Sequence, residues 1–211
     1  MKKIIMVASV LFLFLAFVSA APAADIKVGT LMAHSGPLSE YGPPIKNGAV
    51  LAGKQMAAAG FEIEFFHEDS ETNPTPATNA AKKLVDINKV VAIVGALSSG
   101  VTLAVAESVT IPNNVIMISP ASTNPLMTVL PSDEGKDLLF RTCPSDALQG
   151  VVAGKLAASY NKTVSILYVN NAYGQGLAEV FTESFAKYKG KVLAAVPHDE
   201  KVAESYTAEL K

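Results

Sequence analysis

Val90-Val91-Ala92-Ile93-Val94-Gly95-Ala96-Leu97-Ser98-Ser99-Gly100 is the stretch on which the fold turns. It opens as an unbroken apolar run, mostly β-branched, so neither face suits water and it reads as a strand covered on both sides. Glycine then bends the chain, and two serines stand where a helix opens. A buried strand passing through a glycine turn into a helix is the repeating unit of a parallel sheet clasped by helices. An α/β fold is expected.

The same alternation extends to both sides. Ile26 to Leu31 reads as a strand that ends in the turn His34-Ser35-Gly36-Pro37. Pro43-Pro44 then open a helix whose Ile45, Ala49, Ala52 and Met56 recur at helical spacing until Gly60. Phe61 to His67 reads as a strand with Phe61, Ile63 and Phe65 on one face. After the polar loop Glu68 to Asn73, Pro74 and Pro76 start a helix striped by Ala77, Ala80, Ala81, Leu84 and Val85. Downstream come helix Ser99 to Val109 and strand Val115 to Ile118. Helix Asp146 to Tyr160, strand Val164 to Val169, helix Gly174 to Tyr188 and strand Val192 to Val196 follow, with another helix opening near Tyr206. Right-handed crossovers place every strand's exit loop on the carboxyl edge of its sheet, where such folds bind ligands.

Ser119 to Thr142 breaks the rhythm. Prolines at 120, 125 and 131 and the polar turn Ser132-Asp133-Glu134-Gly135-Lys136 make it a long connector between two strand–helix series, with a boundary near Thr142 to Ser145. The expected organisation is a ligand-binding lobe over 25–142 and the start of a second lobe over 143–211. Two strands cannot close a doubly wound lobe, so the second is expected to be incomplete and the chain truncated at Lys211.

Composition removes several classes of function. The 211 residues carry 17 basic and 19 acidic side chains, with no basic cluster to track phosphates, so nucleic acid is excluded as a partner. Met1-Lys2-Lys3, the apolar run Ile4 to Val18 and the small residues from Ser19 to Ala24 form an export signal over 1–24, with cleavage after Ala20, Ala23 or Ala24. A lone Cys143 cannot form an internal disulfide in an oxidising compartment and reads as a small buried hydrophobe.

The candidate chemistry sits on the carboxyl edge. Ser98 and Ser99 stand at a helix start whose backbone N–H groups suit an anion, although either could serve only as an N-cap. Val101 and Thr102 stand where a phosphate loop needs Lys and Ser/Thr, so nucleotide binding fails. Ser119-Pro120-Ala121-Ser122-Thr123 adds hydroxyls on the same edge, and two such loops can hold one carboxylate with neutral donors. Tyr41 and Tyr173 stand where strand exits meet helix starts and could pack on a ligand. A serine esterase using Ser98, Asp133 or Asp146, and His198 in hydrolase order is the enzymatic alternative, weakened by a missing elbow glycine and oxyanion loop. His34, His67 and His198 are scattered, and no metal is expected.

Read as a set, five segments resemble one family: Gly36 to Gly42, Gly95 to Ser99, Ile118 to Thr123, Phe140 to Asp146 with Gln149-Gly150, and Tyr173 to Gly176. It is the branched-chain amino-acid (Leu/Ile/Val) binding proteins of ATP-binding-cassette importers, within the type I periplasmic binding proteins. The resemblance runs in order from Asp25 to the end. It implies two doubly wound parallel-sheet lobes that close on a ligand, an exported periplasmic monomer, no catalysis, no cofactor, and transient docking on ABC permease subunits. A ligand-sensing receptor lobe is the alternative within binding proteins.

Carried over by position, the resemblance implies that Ser99 and Thr123 donate to the ligand α-carboxylate and that the Ala121 carbonyl accepts from its ammonium. Leu97, Ser98, Ser122 and Tyr41 are implied as the wall around the side chain, with Tyr173 the aromatic from the second lobe. Met32 stands where relatives often have a small residue, and is expected to narrow the pocket. The acidic residue that the family sets against the ammonium lies in a part this chain lacks.

Overall fold

The computed structural model describes residues 26–200 and 205–209. The export signal expected over 1–24 lies outside the described residues. The alternation of strand and helix is as the sequence patterns predict: β1 (Ile26–Met32), α1 (Gly42–Ala58), β2 (Ile63–Asp69), α2 (Pro74–Lys82), β3 (Ala92–Gly95), α3 (Ser99–Val105) and β4 (Ile116–Ser119). Single π-helical turns, Lys83–Ile87 and Ala106–Thr110, prolong α2 and α3. Then come β5 (Leu139–Arg141), α4 (Asp146–Tyr160), β6 (Thr163–Val169), α5 (Ala172–Lys187) and β7 (Lys191–His198).

β1 to β5 form one sheet in the order β2-β1-β3-β4-β5, every described pair parallel. β6 and β7 form a second, parallel pair. In the larger sheet the chain leaves β1 toward β2 and then returns to the other side at β3. The exit loops of β1 and β3 therefore diverge, and the crevice between them is where an open α/β sheet receives ligands. This is the α/β architecture of two parallel sheets with helices on their faces.

The main core lies between this sheet and the helices α2 and α3. Leu31, Leu84, Ile93, Val101, Val105, Val109 and Met117 are buried there. Gly29 faces Leu84 with no room for a side chain, since a Cβ would approach Leu84 Cδ1 to 2.8 Å. A smaller apolar cluster of Met32, Ala33 and Leu97 packs with Leu38, Ile45, Val94 and Ala121 at the carboxyl edge.

Four elements differ from the sequence expectation. The strand expected over Val90 to Val94 runs from Ala92 to Gly95, and Val91, outside it, is exposed while its N–H donates to the Lys27 carbonyl at 2.9 Å. Phe61 is exposed and precedes its strand, which runs two residues later, because the chain first turns through Gly60 at φ +89°. Residues 207–209 form a turn rather than the opening of a helix near Tyr206. The connector between the two series holds a fifth strand, β5, which pairs with β4 from Met117↔Leu139 to Ser119↔Arg141. It is too short to show a period, and it is fixed from outside: the Asp133 carboxylate accepts hydrogen bonds from the Leu138 and Leu139 N–H groups, at 2.9 and 3.1 Å.

α4 and α5 pack closely because glycines remove the side chains between them. A Cβ on Gly150 would lie 2.7 Å from Val180 Cβ, and one on Gly154 would lie 2.7 Å from Ser184 Cβ and 2.8 Å from the Phe185 nitrogen. The approach lets the Ser184 hydroxyl donate to the Val151 carbonyl at 2.9 Å. The outer face of α4 exposes Leu148, Val152 and Leu156. Gly154→Val must push the two helices apart and is expected to destabilise the fold by about 1–3 kcal/mol, the usual cost of overpacking. A thermal melt of the variant checks this, and an unchanged midpoint would show that the helices are not in close contact.

Candidate functional site

A cavity of about 790 Å³ opens at the carboxyl edge of the larger sheet and is closed from the far side by residues of the second sheet. The β1 exit loop contributes Pro37, Leu38 and Tyr41, and the β3 exit contributes Leu97, Ser98 and Ser99. Ala121 and Thr123 come from the β4 exit, and Val169, Asn171, Tyr173 and Glu200 come from the β6–α5 and β7 exits.

The β3 exit is built for close approach. Gly95 has φ +145°, a conformation that L side chains rarely adopt, and a Cβ there would lie 2.3 Å from the Leu31 carbonyl oxygen. Ser98 is the N-cap of α3 in extended conformation, yet its hydroxyl makes no capping bond. The first N–H groups of α3 are thus left to whatever enters the cavity. Ser99 is buried at the cavity wall, and its Oγ accepts from the Asn124 N–H at 3.3 Å, so its own proton remains for donation.

Hydroxyls from β4 and its exit pin this loop. Ser119 donates to the Ala96 carbonyl at 2.6 Å, and Ser122 donates to the Leu97 carbonyl at 3.1 Å while exchanging a 2.8 Å hydrogen bond with Thr102. Ser122 is therefore not part of the wall around the ligand side chain, as the resemblance implied. It is buried behind the β3 exit, and its hydrogen bonds hold the residues that do line the cavity. Met32 is likewise buried beneath the floor and does not narrow the opening.

Thr123 has a fixed polarity. Its hydroxyl donates to Asp146 Oδ2 at 2.6 Å, and its carbonyl accepts from the Asp146 N–H at 2.9 Å. Toward the cavity the Thr123 oxygen can then only accept, which suits a cation, and a carboxylate must take this residue's backbone N–H. Asn124 joins the two sheets. Its side chain caps the 3₁₀ turn Pro125–Thr128 and donates to the Ala172 carbonyl at the start of α5, at 2.5 Å. Gly176 permits the contact, since a Cβ there would lie 2.6 Å from Asn124 Nδ2.

The β1 exit loop is held by Asp69, at the end of β2, which the sequence reading passed over as part of a polar turn. Asp69 Oδ1 accepts from the N–H groups of His34 at 2.8 Å, Ser35 at 3.3 Å and Glu71 at 2.8 Å, and Oδ2 accepts from the Ser35 hydroxyl at 2.7 Å. Thr72 adds a second tie, accepting from the Leu38 N–H at 3.2 Å. Burial pushes the Asp69 carboxyl up. The donors at Glu71, Ser35 and His34 outweigh it and hold the group below the usual carboxylate range.

The cavity thus gathers Tyr41, Leu97, Ser98, Ser99, Ala121, Thr123 and Tyr173 and leaves out Ser122. Sequence reasoning missed Asn171 and Glu200. Asn171 had a legible signal as a polar residue between a strand and a helix, and it is the N-cap of α5, accepting from the Gly174 N–H at 3.0 Å. Glu200, beyond the last strand, had none. The hydrolase constellation does not assemble: His198 bonds to the Asp199 carbonyl at 2.7 Å and stacks edge-on against Tyr206, and Asp133 and Asp146 are committed as described. Cys143 is half-buried rather than fully buried, donating to the Ser122 carbonyl at 3.3 Å, and burial pushes its thiol up.

The profile of the periplasmic binding proteins matches residues 25–211. The chain belongs to the periplasmic binding protein family. A Leu/Ile/Val-binding protein of Rhizobium johnstonii is 34% identical over 164 residues, covering 75% of this chain and 43% of the relative. The branched-chain amino acid transporter substrate-binding protein of Streptococcus pneumoniae, solved with isoleucine, matches at TM-score 0.71 and 30% identity, covering 88% of this chain and 53% of that one. An ABC-transporter solute-binding protein from Rhodopseudomonas palustris, solved with 3,4-dihydroxybenzoic acid, matches at TM-score 0.70 and 25% identity, covering 82% and 47%. The chain spans 42% to 46% of the length of such curated relatives. Periplasmic binding proteins of this kind are substrate-binding proteins, not enzymes.

In this periplasmic binding protein Asp69 stabilises the fold while ionised. Its carboxyl titrates below its unfolded value, so that stability is complete above the ordinary carboxylate range and is lost as pH falls through the lowered folded value. Asp69→Asn is expected to cost about 1–2 kcal/mol at neutral pH and to flatten the acid side of the stability profile. Urea unfolding across acid and neutral pH checks both. Equal acid sensitivity in variant and wild type would show that Asp69 is not the group responsible.

Proposed function

We propose that the protein is the exported solute-binding component of an ABC importer, that it binds branched-chain amino acids in this cavity, and that it delivers them to membrane permease subunits. The observation that carries the reading is the convergence of anion donors, cation acceptors and apolar wall on one cavity. The uncapped start of α3 with Ser98 and Ser99, and the Thr123 N–H, suit an α-carboxylate. The Ala121 carbonyl and the Thr123 oxygen suit its ammonium. Leu97, Leu38, Ile45, Tyr41 and Tyr173 offer apolar and aromatic surface to a branched side chain.

The relative from Rhizobium johnstonii and the isoleucine-bound neighbour support this ligand class. We take residues 25–142 as one lobe and 143–211 as the beginning of the second, with Tyr173 the ligand contact from the latter. The mature protein acts in the periplasm as a monomer, and ligand binding and release need no cofactor.

In the full protein, Ser99→Ala is expected to weaken leucine binding by about 1–3 kcal/mol, through loss of a hydrogen bond to a charged group. Titration calorimetry with leucine, isoleucine and valine tests it. Unchanged affinity would remove Ser99 from the site, and no binding of any of the three by the wild type would end the branched-chain reading.

A further inference from the structure

We infer that Asp146 is a positioning residue for ligand selection: by holding the Thr123 proton, it makes the cavity reject at that point any ligand group that can only accept. The inference rests on the proposed amino-acid site. Thr123 lines that cavity, and Asp146 is fully buried behind it.

The fold makes little use of the Asp146 carboxylate. Asp146 begins α4, but the cap of that helix is Ser145, whose hydroxyl accepts from the Ala147 N–H at 3.2 Å. The Asp146 N–H donates to the Thr123 carbonyl at 2.9 Å, a bond that any residue other than proline supplies. Neither ion pair among the described residues, Lys27–Glu64 or Lys83–Glu68, includes it. Oδ2 accepts from the Thr123 hydroxyl at 2.6 Å, whereas Oδ1 is buried with no hydrogen-bond partner among the described residues. A half-satisfied buried carboxylate costs stability that a neutral isostere would not, and the favourable field of the helix start offsets only part of that cost. Its role is therefore sought in the one side-chain bond it makes.

That bond has a single direction. A carboxylate has no proton to give, so Thr123 donates and presents only lone pairs to the cavity. The backbone bond beside it fixes the two residues face to face, across 23 positions of sequence. A donating ligand group, such as an ammonium, is matched there. A ketone oxygen meets lone pair against lone pair and leaves the Thr123 oxygen without a donor. Asparagine at 146 inverts the arrangement at nearly constant shape. Its amide N–H donates to the Thr123 oxygen, its own oxygen takes the unpartnered position, and the Thr123 proton is released toward the cavity.

The test compares leucine with 4-methyl-2-oxopentanoate, which carries a ketone oxygen where leucine carries its ammonium. Titration calorimetry is run on the full protein, on Asp146→Asn, on Thr123→Val and on the double variant, with the melting midpoint of each. The wild type is expected to prefer leucine. Asp146→Asn is expected to weaken leucine about tenfold and to tighten the oxo acid, without lowering the midpoint. Thr123→Val is expected to weaken leucine but not the oxo acid, and adding Asp146→Asn to it is expected to change neither further. Parallel losses for both ligands in Asp146→Asn, unchanged binding of both, a large fall in its midpoint, or an effect that survives in the Thr123→Val background would overturn the role of Asp146 while the amino-acid reading stands. Weaker oxo-acid binding in Thr123→Val alone would also overturn it, since the hydroxyl would then be donating to the ligand. A wild type that prefers the oxo acid, or binds neither ligand, would overturn both.

Discussion

The start of α3 has backbone donors that its own cap does not satisfy. Ser98 stands in the N-cap position with the backbone angles of a cap, but its hydroxyl is turned to no N–H of the helix. A helix end that is inside the molecule and uncapped is costly unless another partner arrives, so this end sets the site. The surrounding construction holds it at the point where strand order reverses. Gly95 allows the chain to pass against Leu31, Ser119 and Ser122 bind the Ala96 and Leu97 carbonyls, and Asp69 gathers the neighbouring β1 loop.

Polarity is assigned one hydrogen bond at a time. Asp146 takes the Thr123 proton and turns that oxygen into an acceptor, and Asn124 leaves the Ser99 proton free by donating to its oxygen. These bonds distinguish a cation end from an anion end without any positively charged side chain among the described residues of the wall. Asn124 also reaches the Ala172 carbonyl at the start of α5, so the same residue that conditions Ser99 touches the second sheet's helix. Donor orientation and the relation of the two sheets are mechanically joined at Asn124.

Much of this was legible in the residues. The apolar runs and glycine turns announced parallel strands, and the serine-rich exits marked the correct edge, because period and turn chemistry are local properties. Ser122 was misplaced because a hydroxyl beside two cavity residues looks the same in sequence whether it faces a ligand or the loop behind it. Its burial and its bonds to Thr102 and to the Leu97 carbonyl, at 2.8 and 3.1 Å, distinguish the two. β5 escaped for a different reason: three residues carry no period, and their pairing is set by β4 and by Asp133. Asp69 meets His34 from 35 residues away and Glu200 meets Asn171 from 29 residues away, contacts that their own neighbours in sequence do not identify.

The central claim is that the uncapped α3 terminus receives the carboxylate of an amino acid lying between the two sheets. A crystal structure of the full protein with leucine bound measures this directly. The account predicts the leucine carboxylate within hydrogen-bonding distance of Ser99 Oγ and the Thr123 N–H, with the ammonium toward the Ala121 carbonyl and the Thr123 oxygen. Leucine seated with its carboxylate away from α3, or bound outside this cavity, would contradict it.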